Sequence, residues 1–549
     1  MIGVLAWLVW SWAGVARCDP EPGHLYTSLA LMDDLFAFDK LVGDLLPLLP
    51  EHIPEASRYL ESYWSVAADR DKVGGQVTSV ALTGNPLHVY SVIKRLSLYW
   101  PALNNTLQAY HTQGGACEDR NSECHNWARR GHCLHTRPYM ILNCRVSCGT
   151  CPSPELGRVV TEALQAGANT VLPTLDDLKG AAFALARLQS VYHIPIGHFM
   201  QGRLGDTFSS VRLTVEDCVR VGNATRQQER FSDAWTWFTY CLASAGPHHP
   251  SMHAHITALL DEVTRQHDAE WKENHERFFP LPLALSPHQV PWDTTYGRVC
   301  RGQRPQAEDG RLQCHVSSRG APYLLLQPVR YQQVHHHPDI FLFYEVLSDH
   351  EIAVIKERAS TLLTRSTVSS RTSPYSEERV SHTAWLPNHT HPALLNVARR
   401  ISYITGLHVH EGAAEESAGE HLQVVNYGIG GHYNMHQDTL FKHFPEGRWN
   451  ESMSYTLESP PGDRVATWVF YLTTVESGGR TGFERLGASV PAIKGAAAFW
   501  YNLKKNGDGD PLTTHGGCPV ILGHKWIANK WIREHANFLR RPCSEDPEE

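Results

Sequence analysis

The stretch Leu422-Gln423-Val424-Val425-Asn426-Tyr427, followed by the turn Gly428-Ile429-Gly430-Gly431 and then by His436-Gln437-Asp438, decides the fold of the C-terminal half. An apolar run that ends in a glycine-rich turn predicts a buried strand leading into a site. Residues two apart on a strand face the same side, so His436 and Asp438 can reach one metal ion. His515, far downstream, would complete a set of two histidines and one carboxylate, which leaves coordination positions open for a chelating cosubstrate and oxygen. The pattern predicts the chemistry of a non-haem iron(II) oxygenase.

A second His-x-Asp triplet, His337-Pro338-Asp339, shows that the motif alone is weak evidence. In a chain with 33 histidines, such a triplet arises by chance roughly once or twice. His337 ends a run of three histidines just before a proline, so we interpret this run as an exposed loop with weak metal affinity as the alternative. The strand-like sequence before His436 is what favours that triplet as the metal site.

A candidate anion anchor lies in the sequence His524-Lys525-Trp526-Ile527-Ala528-Asn529-Lys530-Trp531. Read as a strand, it places Lys525, Ile527, Asn529 and Trp531 on one face and Lys530 on the other. We therefore expect only one of the two lysines to point into the fold. A buried lysine requires an anion, and the distal carboxylate of 2-oxoglutarate would provide one. The alternative is a lysine at a sheet edge that extends into solvent.

Several long stretches resemble the catalytic domain of collagen prolyl 4-hydroxylase alpha subunits, over about Ile340 to Cys543. They are Leu422–Gly428, Ala466–Leu472, Phe499–Leu503 and Lys525–Trp531. The resemblance implies that the iron(II) ligands are His436, Asp438 and His515. It implies that Lys525 anchors 2-oxoglutarate, with Tyr427 and Trp531 as further cosubstrate contacts. The fold expected over residues 335–543 is a double-stranded β-helix, which is jelly-roll-like, with the metal at its open mouth.

The implied activity is that of a procollagen-proline 4-dioxygenase. Such an enzyme hydroxylates peptidyl proline to 4-hydroxyproline with Fe(II), O2 and 2-oxoglutarate, and it releases succinate and CO2. The resemblance also implies that L-ascorbate rescues iron oxidised in uncoupled cycles. Two alternatives stay open at this point: an oxygenase for secreted proline-rich proteins other than collagen, and a noncatalytic scaffold that binds proline-rich peptides. The intact ligand set favours an enzyme.

Cysteines indicate a small inserted module and further bridges. Six of the thirteen cysteines lie between Cys117 and Cys151, a density typical of a small domain that disulfides stabilise. Cys148-Gly149-Thr150-Cys151 also has the spacing of a zinc site. The spacing of the six resembles the ShK toxin-like module, which implies the pairs Cys117–Cys151, Cys124–Cys144 and Cys133–Cys148. The family resemblance implies the further pairs Cys300–Cys314 and Cys518–Cys543. Whether Cys218 and Cys241 form a bridge or remain buried thiols stays open.

The N-terminal half is predicted to be α-helical, on either side of the six-cysteine module at residues 117–151. In the first unit, residues 24–112, apolar residues step by four and three, the period of a coiled-coil seam. They are Leu31, Leu35, Phe38, Val42, Leu45 and Leu49. Packing inside an intramolecular bundle gives the same pattern, but the resemblance implies a dimerisation domain and self-association.

The second helical unit, residues 155–285, contains Leu213–Gly222 and Phe231–Tyr240, which resemble a tetratricopeptide helix pair. In this family that unit is the peptide-substrate-binding domain. Trp235, Trp237 and Tyr240 can stack on a polyproline II peptide, or they are core residues.

Other features indicate a secretory protein. Residues 1–18 are predicted to be a signal peptide, because the apolar run Ile2 to Ala16 is too short to span a bilayer and ends in small residues. Four glycosylation sequons, at Asn104, Asn223, Asn388 and Asn450, are compatible with that pathway. We expect the lumen of the endoplasmic reticulum and no membrane span. The sequence Asp546-Pro547-Glu548-Glu549 is not a retention signal, so retention would require a partner such as protein disulfide isomerase. A net charge of −8 without a basic run gives no reason to expect nucleic acid binding.

Overall fold

The protein has a helical N-terminal half and a β-rich C-terminal half, as seen in a computed structural model. The structure describes residues 25–48, 54–75, 80–112, 118–136, 139–140, 143–149, 151, 154–246, 250–273, 294–303, 313–367, 377–412, 417–440, 462–544 and 546. The predicted signal peptide, Leu49, Cys117 and Asn450 lie outside these residues. Within these ranges, no helix has the length and apolar character needed to cross a membrane.

The helical half contains two helical units and a small module between them. The first unit comprises α1 (Met32–Leu45), α2 (Pro54–Lys72), α3 (Val80–Thr83), α4 (Pro86–Leu98), α5 (Trp100–Thr112) and, after the module, α8 (Pro154–Asn169). The module contains α6 (Cys124–Arg129) and α7 (His132–His135). The second unit comprises α9 (Leu175–Tyr192), α10 (Ile196–Gln201), the short strands β1 (Arg203–Leu204) and β2 (Thr207–Phe208), α11 (Val215–Gln227), α12 (Phe231–Ala245), α13 (Pro250–Glu273) and α14 (Thr295–Cys300).

The apolar seam of α1 packs inside the same chain. Leu35, Phe38, Val42 and Leu45 are buried, and the ring of Phe38 meets the edge of Trp100 in α5 at 4.9 Å. These side chains fill a bundle with α2, α4 and α8, which is the intramolecular alternative to a coiled-coil seam. The α1 seam is therefore covered within the chain and is not a free surface.

In the second helical unit, α11 and α12 form an antiparallel pair bridged by a Cys218–Cys241 disulfide, which decides the open question about these two residues. Trp237 is fully buried, whereas Trp235 and Tyr240 are half-buried. Trp237 is thus a core residue, and only the other two keep exposed ring surface.

The six-cysteine module has Cys124 bonded to Cys144 and Cys133 bonded to Cys148. These are two of the three pairs that the ShK resemblance implies. Cys148, one of the two candidate zinc ligands, is therefore engaged in a disulfide.

The β-rich half is built on two facing antiparallel sheets. Its strands are β3 (Cys314–Ser317), β4 (Val329–His335), β5 (Ile340–Tyr344), β6 (Thr364–Arg365), β7 (Ser381–Leu386), β8 (Leu422–Tyr427), β9 (Tyr433–His436), β10 (Arg464–Tyr471), β11 (Ser477–Gly478), β12 (Thr481–Phe483), β13 (Ala488–Val490), β14 (Ala497–Tyr501), β15 (His515–Gly517), β16 (Val520–Leu522) and β17 (Trp526–Arg533). Nine strands form the large sheet in the order β3-β4-β5-β14-β10-β17-β8-β7-β6, and four form the small sheet in the order β13-β12-β15-β9. The helices α15 (Asp349–Ser360) and α16 (Pro392–Thr405) cover the outer face of the large sheet.

The large sheet is buried on both faces, which explains its long apolar runs. In β10, Trp468 and Phe470 pack towards α15 and α16, whereas Val469 and Tyr471 pack towards the small sheet. The predicted strand Leu422–Tyr427 is β8, in which every residue is buried. His337 lies in the exposed turn between β4 and β5, as the sequence indicated. His335, the first of the three histidines, is instead buried at the end of β4, so the prediction of an exposed loop was wrong for that residue.

The structure corrects two predicted disulfides. Cys300 is bonded to Cys518, 218 positions away, and not to Cys314. Cys314 and Cys543 are exposed free thiols, so the predicted Cys518–Cys543 pair is wrong as well. The reason is spatial: α14 packs against β12, where Val299 meets Gly482, and this contact places Cys300 beside the end of β15. Cys314 begins an outermost strand of the large sheet.

Peptide mapping without reduction tests this bridge. We expect Cys300 linked to Cys518, with Cys314 and Cys543 alkylated directly. In the chain-entropy view, the bridge stabilises the fold by on the order of 5 kcal/mol because it closes a long loop. Cys300→Ser should therefore lower the unfolding midpoint, whereas the control Cys314→Ser should not. A peptide in which Cys300 is joined to Cys314 would contradict this pairing.

Candidate active site

The pairing of β9 with β15 brings three metal-ligating side chains together. His436 at the end of β9 lies opposite His515 at the start of β15, and Asp438 follows His436 by two residues. The Nε2 atoms of His436 and His515 each lie 3.6 Å from a carboxylate oxygen of Asp438. One ligand atom from each residue falls within 4.8 Å of the others, so the three can hold a single ion.

Hydrogen bonds around the triad orient the ligand atoms. His436 Nδ1 lies 2.8 Å from the carbonyl oxygen of Asn434, and His515 Nδ1 lies 3.0 Å from that of Thr513. A carbonyl can only accept, so each Nδ1 carries the proton and each Nε2 presents its lone pair to the centre. Thr467 Oγ1 donates to Asp438 Oδ2 at 2.7 Å, which fixes the carboxylate.

The electrostatics of the triad favour the forms that bind a metal. Burial, followed by the charge of the neighbouring His515, lowers the pKa of His436 to about 3. Burial opposes ionisation of Asp438, but the two imidazoles and Arg464 outweigh it and lower the pKa of this carboxyl to about 2. At neutral pH the site therefore offers a neutral imidazole and a carboxylate, as metal binding requires. The donor set, its orientation and its protonation fit a divalent ion with an open face.

The triad opens into a cavity of about 600 Å³ that also contains Lys525. Lys525 is 1% exposed, and its Nζ lies 4.7 Å from the ring centre of Tyr427. Among the residues with described positions, no carboxylate forms an ion pair with this ammonium, and burial lowers the pKa of Lys525 to about 7. A buried cation without a counter-ion is costly, so the position is suited to an anionic ligand.

The two lysines lie on opposite faces of β17, as alternation requires, and Ile527, Asn529 and Trp531 line the cavity with Lys525. The expectation that only one lysine points into the fold was wrong. Lys530 is fully buried on the other face, where its Nζ lies 2.8 Å from Glu411. The sheet is covered on both sides, so neither face of β17 meets solvent.

Tyr427 and Trp531 both lie in the cavity wall. Tyr427 is 3% exposed and Trp531 is 7% exposed. The Nε1 of Trp531 is buried, and the described residues give it no hydrogen-bond partner.

Sequence reasoning missed the charged residues at the cavity wall. Arg464 stacks 3.7 Å above the ring of Trp531 and forms a bidentate ion pair with Glu420 at 2.6 and 2.8 Å. Arg379 lies 4.8 Å above the ring of Tyr433. A charged residue at the start of the apolar strand β10 was a sequence signal that could have indicated Arg464. Its partner Glu420 is distant in sequence, so the ion pair itself could not be predicted.

Comparisons with known proteins show which families and proteins the chain resembles. Residues 422–533 match the 2OG-Fe(II) oxygenase superfamily, and residues 116–151 match the ShK domain-like family. The sequence is 34% identical over 433 residues to prolyl 4-hydroxylase subunit alpha-3 of Mus musculus, covering 69% of this chain and 77% of that protein. It is 27% identical over 583 residues to prolyl 4-hydroxylase subunit alpha-1 of Rattus norvegicus, covering 96% and 97%. A solved structure of the viral collagen prolyl hydroxylase from Paramecium Bursaria Chlorella virus-1, a 2OG complex, matches 35% of this chain and 95% of its own, with 24% identity and a TM-score of 0.27.

The unpaired Lys525 should make the ligand-free protein less stable. Its pKa falls from 10.5 in the unfolded chain to about 7 in the fold, so the unfolded chain binds this proton more tightly. The penalty is complete below pH 7 and declines as the pH rises from 7 towards 10.5. Lys525→Met should therefore stabilise the ligand-free protein at pH 7 by at least about 1 kcal/mol, measured by denaturant unfolding.

Lys530→Met is the matched control. Lys530 has Glu411 as its partner, so this change should destabilise the protein by about 3 kcal/mol because it leaves a largely buried carboxylate without its cation. Loss of stability in both variants would mean that Lys525 has a compensating partner in the free protein.

Proposed function

Because the chain belongs to the prolyl 4-hydroxylase alpha-subunit family, we propose that it is a procollagen-proline 4-dioxygenase, which hydroxylates peptidyl proline with O2 and 2-oxoglutarate as cosubstrates. The observation that carries this proposal is the oriented triad in one cavity with an uncompensated buried lysine. A noncatalytic peptide-binding scaffold would not need a desolvated cation beside an intact ligand set.

We assign His436, Asp438 and His515 as the residues that hold Fe(II). Bound iron would activate oxygen and supply the oxidising power for hydroxylation at the proline ring. The protein fixes the ligand lone pairs through the carbonyls of Asn434 and Thr513 and keeps the site buried. The open side of the triad faces the cavity, where a chelating cosubstrate can approach.

Lys525 is the residue that binds the distal carboxylate of 2-oxoglutarate. Its ammonium is positively charged and buried, as this role requires. A carboxylate bound in the cavity would raise the pKa of Lys525 again through ion pairing. Tyr427, whose ring lies beneath that ammonium, and Trp531, whose Nε1 is buried in the wall, complete the proposed cosubstrate pocket.

The finer architecture that we propose follows the same family. The two facing sheets represent the two layers of a double-stranded β-helix, with the metal site between β9 and β15. The α11–α12 pair represents a tetratricopeptide-like unit that binds the peptide, with the half-buried rings of Trp235 and Tyr240 available for contact.

The cellular setting is proposed from the disulfides and the relatives. Disulfide-bonded cysteines in both halves support the secretory pathway, and we place the protein in the lumen of the endoplasmic reticulum. We further propose that L-ascorbate serves as the reductant and that protein disulfide isomerase is a beta subunit. We also propose that the chain self-associates through the first helical unit.

Mass spectrometry of proline-rich peptides tests the function directly. Peptides incubated with enzyme, Fe(II), 2-oxoglutarate and air should gain one oxygen atom on proline, with one succinate formed per hydroxylation. Collagen-like and other proline-rich sequences compared side by side identify the preferred substrate.

Removal of any one iron ligand should abolish this turnover. His436→Ala, Asp438→Ala and His515→Ala each leave two ligands, which hold Fe(II) poorly. Circular dichroism should show an intact fold, and hydroxylation at the wild-type rate by any of the three variants would refute the assignment.

Replacement of Lys525 should act on 2-oxoglutarate more than on iron. Lys525→Ala leaves the distal carboxylate without its buried cation, a loss of roughly 3 kcal/mol or more, so the apparent KM should rise by two or more orders of magnitude. Lys530→Ala, on the opposite face, should change the KM much less in the same decarboxylation assay. The reverse order of effects would mean that Lys530 faces the pocket.

A further inference from the structure

A segment that we call the arm runs from His515 to Lys525, and one side of it contacts the helical half. This arm comprises residues 515–525, from His515 in β15 through β16 to Lys525 at the start of β17. Both of its ends contribute to the cavity. Contacts to the arm therefore act on the backbone that connects His515 with Lys525, in addition to the pairing of β15 and β17 in their sheets.

Contacts from two different helical elements hold the first part of the arm. Cys518 is bonded to Cys300 at the end of α14, and Tyr192 at the end of α9 donates its hydroxyl to the carbonyl oxygen of Pro519 at 2.5 Å. Leu522 is buried in the apolar core of the helical half.

The end of α3 holds the second part, next to Lys525. The amide of Gly523 donates to the carbonyl oxygen of Gly84 at 3.0 Å. Thr83 Oγ1 lies 2.9 Å from His524 Nε2, and Thr83 is fully buried. The two backbones approach so closely that a Cβ on Gly84 would lie 2.8 Å from the Cα of Gly523. Only glycine allows this contact.

The contact between α3 and His524 lies one residue from Lys525, whose backbone is hydrogen-bonded on both sides. His524 precedes Lys525 directly, and its carbonyl oxygen accepts a hydrogen bond from Thr473 Oγ1 at 2.6 Å. The carbonyl oxygen of Lys525 accepts from the amide of Tyr427 at 3.1 Å. With its backbone held on both sides, Lys525 has little freedom except at its own side chain.

We infer that Thr83 and Gly84 of the first helical unit are positioning residues for the cosubstrate: they brace the arm from outside so that Lys525 meets the distal carboxylate of 2-oxoglutarate. This inference rests on the proposed function for the identity of the ligand. The first helical unit is then part of the oxygenase site, in addition to any role in pairing.

The test compares Thr83→Val with Thr83→Ser. Valine keeps the shape and removes the hydroxyl, whereas serine retains it. Thr83→Val should raise the KM for 2-oxoglutarate about three- to tenfold, the range that corresponds to one hydrogen bond, with kcat and the peptide KM little changed. Thr83→Ser should restore the wild-type KM. Gly84→Ala should have a larger effect because its methyl group meets backbone.

Two measurements without turnover separate positioning from general stability. The first is a titration of the Mn(II)-loaded protein with 2-oxoglutarate in the absence of oxygen, in which the rise of the thermal unfolding midpoint reports binding. The second is amide hydrogen exchange in residues 520–525, which should be faster in Thr83→Val. Thr225→Val in α11, where the fully buried threonine hydroxyl bonds within its own helix to the carbonyl oxygen of Val221, is the matched control and should change neither.

The outcomes distinguish this inference from the proposed function. If Thr83→Val and Thr83→Ser have equal affinity for 2-oxoglutarate and equal amide hydrogen exchange in the arm, the positioning role of Thr83 is overturned. If the wild type fails to bind or consume 2-oxoglutarate, the proposed function fails, and the exchange comparison still decides whether α3 holds the arm.

Discussion

The desolvation of charge in one cavity is the constraint on which the rest of this structure depends. His436, Asp438 and His515 must lie close together, away from water, with their lone pairs aimed at one point. The antiparallel pairing of β9 with β15 sets the separation of the two histidines. The carbonyl oxygens of Asn434 and Thr513 accept hydrogen bonds from these histidines, and the Thr467 hydroxyl donates to Asp438, which sets the orientation of all three ligands. A site arranged in this way binds a metal without first reorganising, which is why the surrounding sheets have to be rigid.

Lys525 and Lys530 show how one strand serves function and stability separately. Both are buried in β17, but Lys530 has Glu411 as a partner, whereas the part of the chain that the structure describes provides no carboxylate for Lys525. Burial without a partner makes the free protein less stable and makes the cavity attractive to an anion. In the proposed function, an anionic cosubstrate that pairs with Lys525 would recover part of this free energy on binding.

The helical half is joined to the oxygenase half by contacts that end at functional residues. The Cys300–Cys518 bridge, the Tyr192 hydroxyl and the Thr83–Gly84 corner all contact the arm between His515 and Lys525. The apolar seam of α1, in contrast, is buried in the helical bundle of its own chain. The first helical unit therefore packs against the segment that carries His515 and Lys525, and its α1 seam is already covered by helices of the same chain.

Local sequence was sufficient for the features that depend on neighbouring residues. The alternation along β17 separated Lys525 from Lys530, the glycine turn after β8 marked the entry to the site, and the cysteine spacing identified the inserted module. Tertiary structure alone decided that both lysines are buried, that Cys300 pairs with Cys518 and that Arg464 pairs with Glu420. The physical reason is that periodicity reports which residues share a face, whereas burial and pairing depend on what packs against that face from elsewhere in the chain.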